Sequence, residues 1–198
     1  MNKILIMGLI IVPVIAFAGC MKADKSAQTN KVTEVIEKPE KLPEAVIKIK
    51  GYGEIRAELY PHKAPNTVNN FIELAESDFY DGLKIHRLIK DFMAQAGCPK
   101  GNGTGDAGYS IVGEFAKNGF EINDIKHTKG VLSMARSNGY DTGGSQFFIM
   151  TSEAKHLDNN YAAFGKVIDG MEEVDKINVA KVSGESPVEE MIIEDIVI

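Results

Sequence analysis

Few side chains in this chain have the type and spacing that chemistry demands, and most of the familiar patterns fail on inspection. The histidines His62, His86, His127 and His156 form no i,i+4 pair, no HExxH and no pairing with a CxxC, so no metal-ligand spacing exists and no metal is expected. Gly103-Thr104-Gly105-Asp106-Ala107-Gly108 reads literally as GxGxxG. A dinucleotide fingerprint needs a helix after the glycines to receive the pyrophosphate, whereas Tyr109-Ser110-Ile111-Val112 continues as strand; the segment reads as a surface loop, and no cofactor is expected. Ser145, in Gly143-Gly144-Ser145-Gln146-Phe147, lies outside any GxSxG and has no evident base. Two polar residues remain. Arg87 stands among Ile85, Leu88 and Ile89, and Gln95 follows Phe92-Met93-Ala94. Each faces either solvent or a cleft, and the residues alone leave both open.

The elements that must position these residues are mostly short strands. Val46 to Tyr60 alternates apolar and polar around Gly51-Tyr52-Gly53, the signature of a half-buried hairpin. Ala64-Pro65 opens a helix, with Val68, Phe71, Ile72 and Ala75 at i, i+3, i+4 and i+7. Strand-like runs follow over 85–89, 92–96, 109–112, 131–135, 146–151 and 162–167; a second helix is predicted over 171–177 and a closing strand over 191–198. Many strands, few helices and no βαβ rhythm predict an antiparallel barrel or sandwich.

The chain has 198 residues, 44% hydrophobic and 25% charged, enough for one sizeable core plus something extra. Its 28 acidic and 22 basic side chains give a net charge of −6, which argues against nucleic acid as the main partner and against a polybasic membrane patch. The extra lies at the N-terminus. Lys3 precedes an uncharged stretch from Ile4 to Gly19, too short and too broken by Gly8 and Pro13 for a spanning helix, and this suits a secretory signal. Phe17-Ala18-Gly19-Cys20 resembles the bacterial lipobox, with Phe17 where Leu is usual. That resemblance implies a signal peptide over 1–19, lipid on Cys20 and an extracytoplasmic chain anchored to a cell-envelope membrane. The alternative is an ordinary signal or an uncleaved N-terminal anchor, and a disulfide between Cys20 and Cys98 is the weaker reading. Met21 to Glu44 is polar, with Pro39 and Pro43 near its end, and reads as a flexible tether, or as one carrying a short helix over 32–38. The folded domain is expected over 45–198.

Three segments within that domain carry a resemblance: IHRLIKDFMAQAGC (85–98), GVLSMARSNGYDTGGSQFFIM (130–150) and HLDNNYAAFGKV (156–167). In this order and spacing they resemble the cyclophilin family of peptidyl-prolyl cis-trans isomerases. APNTVNNFIELA at 64–75 and GNGTGDAGYSIVGEF at 101–115 are similar to the family's first helix and glycine-rich loop. The resemblance implies a mainly β fold, a closed eight-stranded antiparallel barrel capped by two α-helices. It implies an enzyme that speeds rotation about X-Pro bonds without a cofactor, acting on proline-containing polypeptides as a monomer. It assigns Arg87 and Gln95 to catalysis, and Phe92, Met93, Ala135, Gln146, Phe148, Leu157 and Tyr161 to substrate binding. A membrane-tethered binding module or chaperone of the same fold, with incidental isomerase activity, is the rival.

The chain also departs from the family. His156 stands where many members have Trp, which implies weaker binding of cyclosporin-type inhibitors, and Tyr161 stands where His is common. Lys90-Asp91 replaces the usual Pro-Gly before Phe92. Arg136 replaces the Asn of SMAN, either at the rim of the cleft or as a solvated loop charge.

Overall fold

The computed structural model describes residues 36–198. The expected signal segment, Cys20 and most of the expected tether therefore lie outside the described residues, as does the first part of the helix considered over 32–38. Residues 36–43 carry no helix or strand. The end of that segment is docked: Leu42 is buried, and the Pro43 carbonyl accepts from the Leu59 N–H at 2.8 Å.

Ten strands and two α-helices follow among the described residues. The first hairpin pairs β1 (Glu44–Ile49) with β2 (Glu54–Leu59), and every second residue of each is buried, as the alternation requires. Helix α1 (Pro65–Glu76) buries Val68, Phe71, Leu74 and Ala75. Then come β3 (Arg87–Ile89), β4 (Met93–Ala96), β5 (Val131–Met134), β6 (Phe147–Met150), β7 (Ala163–Asp169), α2 (Met171–Asn178), a small hairpin of β8 (Val182–Ser183) with β9 (Ser186–Pro187), and β10 (Ile193–Val197). Eight of the strands form one antiparallel sheet in the order β10-β1-β2-β7-β5-β6-β4-β3.

The sheet curls without closing, which corrects the expected closed barrel. Its edges β3 and β10 do not pair as strands. The loop before β3 meets the approach to β10 through Gly82 N–H to Ile193 O (2.9 Å), Ile193 N–H to Leu83 O (2.7 Å) and Ile85 N–H to Met191 O (2.9 Å). Beyond that contact the outer edge of β3 is taken by the β8–β9 hairpin, whose Glu185 carbonyl accepts from Leu88 N–H at 2.7 Å. The expected strand over 109–112 is reduced to a single bridge between Ile111 and Gly143.

Inside the curl, Phe71 of α1 lies 5.1–5.3 Å, centroid to centroid, from Tyr80, Phe147 and Phe164. A second apolar cluster of Met93, Val131, Phe148, Met150, Leu157 and Ala163 sits on the opposite face of the sheet. Strand alternation separates the two: Ala94, Ala96, Leu132, Met134, Phe147 and Ile149 face inward, and their neighbours face outward. Because both faces are covered, the central strands read as continuous apolar runs.

Helix α1 has no side-chain cap of its own at Ala64. Glu114, from 48 residues away, accepts from Asn66 N–H at 3.0 Å and from Thr67 N–H at 2.8 Å and hydroxyl at 2.7 Å. The carboxylate thus takes up the helix's free N-terminal donors, where negative charge also suits the dipole.

Candidate active site

Register aligns the site. Arg87 pairs with Gln95 across β3 and β4, Gln95 with Phe148 across β4 and β6, and Phe148 with Ser133 across β6 and β5. Four residues that no local pattern connects thus form one row on the outer face of the sheet. A one-residue slip at β4 would turn Gln95 into the core and Ala94 out. Gly97 ends β4 with a φ of 82°, and a Cβ there would run into the Ser145 carbonyl, so β4 can pass β6 this closely only as glycine.

Above this row is a cleft of about 450 Å³ lined by Arg87, Phe92, Met93, Gln95, Ala135, Phe148, Leu157 and Tyr161, together with Arg136, His156 and Asn160. All the expected site residues except Gln146 and Cys20 meet there. Cys20 is outside the described residues. Gln146 lines a second pocket of about 330 Å³ with Asp106, Thr142 and the Gly103–Gly105 backbone, and Gln95, Ala135 and Arg136 form the partition shared with the cleft. Phe148 and Leu157 are buried and make an apolar floor, Tyr161 meets Phe148 edge-on at 6.0 Å, and His156 stacks on Phe92 at 5.6 Å.

The polar side of the cleft is a chain of hydrogen bonds. Arg87 donates from Nη1 to Gln95 Oε1 at 3.4 Å, and Gln95 Nε2 donates to Gln146 Oε1 at 2.9 Å. Gln146 Nε2 in turn donates to the carbonyls of Gly103 (3.0 Å) and Gly105 (2.7 Å). The literal GxGxxG is therefore a loop whose carbonyls hold a glutamine. Arg87 also donates from Nε to Glu185 Oε2 at 2.6 Å. Among the described residues Nη2 has no partner. Ala135 donates its N–H to the Gln146 carbonyl at 2.9 Å, which leaves its own carbonyl as the backbone group it can offer a ligand.

Arg136 is more than a solvated loop charge. Its Nε and Nη2 donate to the Asn160 carbonyl at 3.1 and 3.0 Å, and its guanidinium lies over Tyr161 at 4.5 Å, with Tyr140 and Phe115 at 5.2 and 5.3 Å.

Behind the floor an Asp-His-Ser series does occur. Asp158 Oδ1 is 3.2 Å from His127 Nδ1, and His127 Nε2 is 3.0 Å from Ser133 Oγ. Ser133 has no exposed surface, so no substrate can reach its hydroxyl. The series is a support: the His127 ring stacks on Phe148 at 6.3 Å. Burial pushes the His127 pKa below its usual value, against the pull of Asp158. Ser145 is likewise no nucleophile, since its hydroxyl donates to Gly97 O at 2.7 Å and it is fully buried. Among the described residues no group of three or more His, Cys, Asp or Glu is placed to hold a metal.

A curled antiparallel sheet with two helices, and an apolar-floored cleft edged by Arg87, Arg136 and Gln95, with Gln95 linked to Gln146 of the adjoining pocket, define a class that comparison with known proteins identifies. The model of the cyclophilin type peptidyl-prolyl cis-trans isomerase/CLD family matches residues 45–198, and the chain belongs to that family of enzymes. Peptidyl-prolyl cis-trans isomerase B of Bacillus subtilis (strain 168) is 50% identical over 119 residues, 60% of this chain and 79% of the relative. A peptidyl-prolyl cis-trans isomerase of Synechococcus elongatus is 49% identical over 117 residues, 59% and 75% of the two chains. A crystal structure of a cyclophilin type isomerase from Cryptosporidium parvum, in the presence of the dipeptide Ala-Pro, superposes with a TM-score of 0.72 at 33% identity, covering 79% of this chain and 98% of that one.

Residue reasoning missed Glu185, Asn160 and the His127 support. Glu185 sits in a turn between two-residue strands, too short for any periodicity; the one cue was Gly184 between Ser183 and Glu185.

Proposed function

We propose that this isomerase acts on proline-containing polypeptides folding outside the cytoplasm, anchored to a cell-envelope membrane through lipid on Cys20, and that Arg87 carries the catalysis. Rotation about an X-Pro bond breaks amide resonance, with a barrier of about 18–20 kcal/mol and an uncatalysed time of tens of seconds or more. In the twisted amide the prolyl nitrogen becomes pyramidal and gains lone-pair density. A guanidinium hydrogen can bond to that lone pair, while the planar amide offers it little, so the contact is made chiefly in the transition state. The observation that carries the proposal is Arg87 at the edge of a cleft with an apolar floor, with Nη1 on Gln95 and, among the described residues, no partner on Nη2. Phe92, Met93, Phe148 and Leu157 would hold the proline ring while the preceding carbonyl swings. An acceleration of about 10⁵ needs roughly 7 kcal/mol, within reach of one charge-assisted hydrogen bond, desolvation and positioning together. Lysine is a poor substitute, because its ammonium is a point charge on a flexible stem, whereas the planar fork donates to Gln95 and substrate in fixed directions.

The mechanism is tested by cis-to-trans rates on a short X-Pro peptide. Arg87→Ala is expected to lose at least 100-fold in kcat/KM, corresponding to about 2.7 kcal/mol or more, and equal rates would sink the role given to Arg87. The anchor has its own test: incorporation of radioactive palmitate in a bacterial host should disappear in Cys20→Ala, and persistent label would refute the lipid assignment.

A further inference from the structure

We infer that Glu185 is a positioning residue for the isomerase reaction: from the β8–β9 turn its carboxylate holds Nε of Arg87 and sets the plane in which the guanidinium presents its free hydrogens to the prolyl nitrogen. The inference rests on the catalytic role proposed for Arg87.

The geometry begins in the backbone. The β8–β9 hairpin turns at Gly184, with a φ of 63°, and Glu185 follows at once. The Glu185 carbonyl accepts from Leu88 N–H at 2.7 Å, which pins the turn to the strand position next to Arg87. The same residue's carboxylate then reaches Arg87 Nε at 2.6 Å. Backbone and side chain of one residue thus grip two neighbouring residues of β3.

A guanidinium is planar, with its five hydrogens in fixed in-plane directions. One acceptor leaves it free to pivot about that contact. Two acceptors at different nitrogens fix it, and here they are Glu185 at Nε and Gln95 at Nη1. The hydrogens left over are those of Nη2 and the second one of Nη1, and Arg87 lines the cleft while Glu185 does not. The carboxylate occupies Nε and leaves those hydrogens to a substrate.

Both partners are open to solvent, with side chains 39% and 56% exposed. An exposed pair of this kind adds little to stability. Its effect on the reaction is orientational, because a misdirected guanidinium loses the transition-state bond while the apolar floor still holds the proline ring. Loss of Glu185 should therefore fall on kcat and spare KM. Being exposed, the pair should also weaken as the screening length drops to about 3 Å at 1 M salt.

The test uses the full chain and measures kcat and KM on an X-Pro peptide. Glu185→Ala is expected to lower kcat about 5- to 20-fold with KM within about twofold, the pattern of an interaction felt only in the transition state. Glu185→Gln keeps an acceptor for Nε–H and should recover most of the loss. In 1 M NaCl the wild-type kcat should fall toward the Gln variant's, while the Ala variant's should not move. Glu190→Ala removes the neighbouring exposed pair with Lys84 (3.1 Å) and serves as the control for surface charge. A kcat for Glu185→Ala within twofold of wild type, an increase, a loss confined to KM, or an equal loss in Glu190→Ala overturns the inference. Arg87→Ala assayed alongside separates the failures. If it is as active as wild type, the reading of Arg87 fails; if it is inactive while Glu185→Ala is normal, only the role of Glu185 does.

Discussion

On the mechanism proposed for Arg87, the guanidinium stabilises a twisted amide only if its hydrogens point to where the prolyl nitrogen will be, and Gln95 would help set that direction. Gln95 is also the link between Arg87 and the second pocket, accepting from Nη1 and donating to Gln146. Gln95→Ala removes both bonds and leaves Gln146 Oε1 without its donor. A tenfold loss in kcat/KM is the expected outcome, equivalent to about 1.4 kcal/mol, the scale of one hydrogen bond to a charged group. Peptide assays of Gln95→Ala beside Arg87→Ala check it; a change under twofold would mean that Arg87 is oriented without Gln95. At this scale the sequence was partly legible. The apolar neighbourhood marked Arg87 and Gln95 as odd, but whether they met solvent or a cleft depended on what covers the outer face of the sheet. That cover comes from 156–161, far along the chain. Glu185 was invisible for a related reason, since an acidic residue in a turn looks like any solvated charge until β3 is placed beside it.

Elements were more legible than residues where they were long and periodic, and less where a distant group completes them. Pro65 and the apolar spacing of Val68, Phe71 and Ala75 were enough to find α1. They could not reveal its cap, because Glu114 reaches it across 48 residues. Glu114→Ala would leave two backbone N–H groups and the buried Thr67 hydroxyl without an acceptor. The expected cost is about 2–3 kcal/mol, seen as a lower urea midpoint. Isomerase rates at temperatures well below unfolding should stay within twofold, because Glu114 is absent from the cleft lining. The same logic covers the strands. β4 and β6 bury both faces, so alternation is hidden, and which residue of Phe147 and Phe148 meets the cleft follows from pairing alone.

At the scale of the whole molecule, strand number and order are properties of closure, and no local pattern encodes them. An eight-stranded sheet was legible from the family motifs; its open seam was not, because it depends on a two-residue hairpin taking the edge of β3. The global property that the folded chain makes predictable is its response to acid. Burial is the largest influence on His62, His86 and His127, and it lowers all three from the usual 6.5. Below that value the unfolded chain takes up protons that the folded chain resists, so unfolding gains protons as pH falls. The histidine contribution to stability is therefore complete above about pH 6.5 and is lost as pH drops from there through the folded values. His127 is the sharpest case: with its proton on Nδ1 toward Asp158, the neutral ring accepts at Nε2 from the Ser133 hydroxyl, and protonation would turn that acceptor into a donor. The urea midpoint of the wild type should fall between pH 7.5 and pH 5.5. In His127→Gln, whose amide can still meet Ser133 or Asp158 but does not titrate, the midpoint should start no higher than the wild type's, and its fall over the same range should be shallower. Equal slopes in the two proteins would show that His127 is protonated as readily in the fold as out of it.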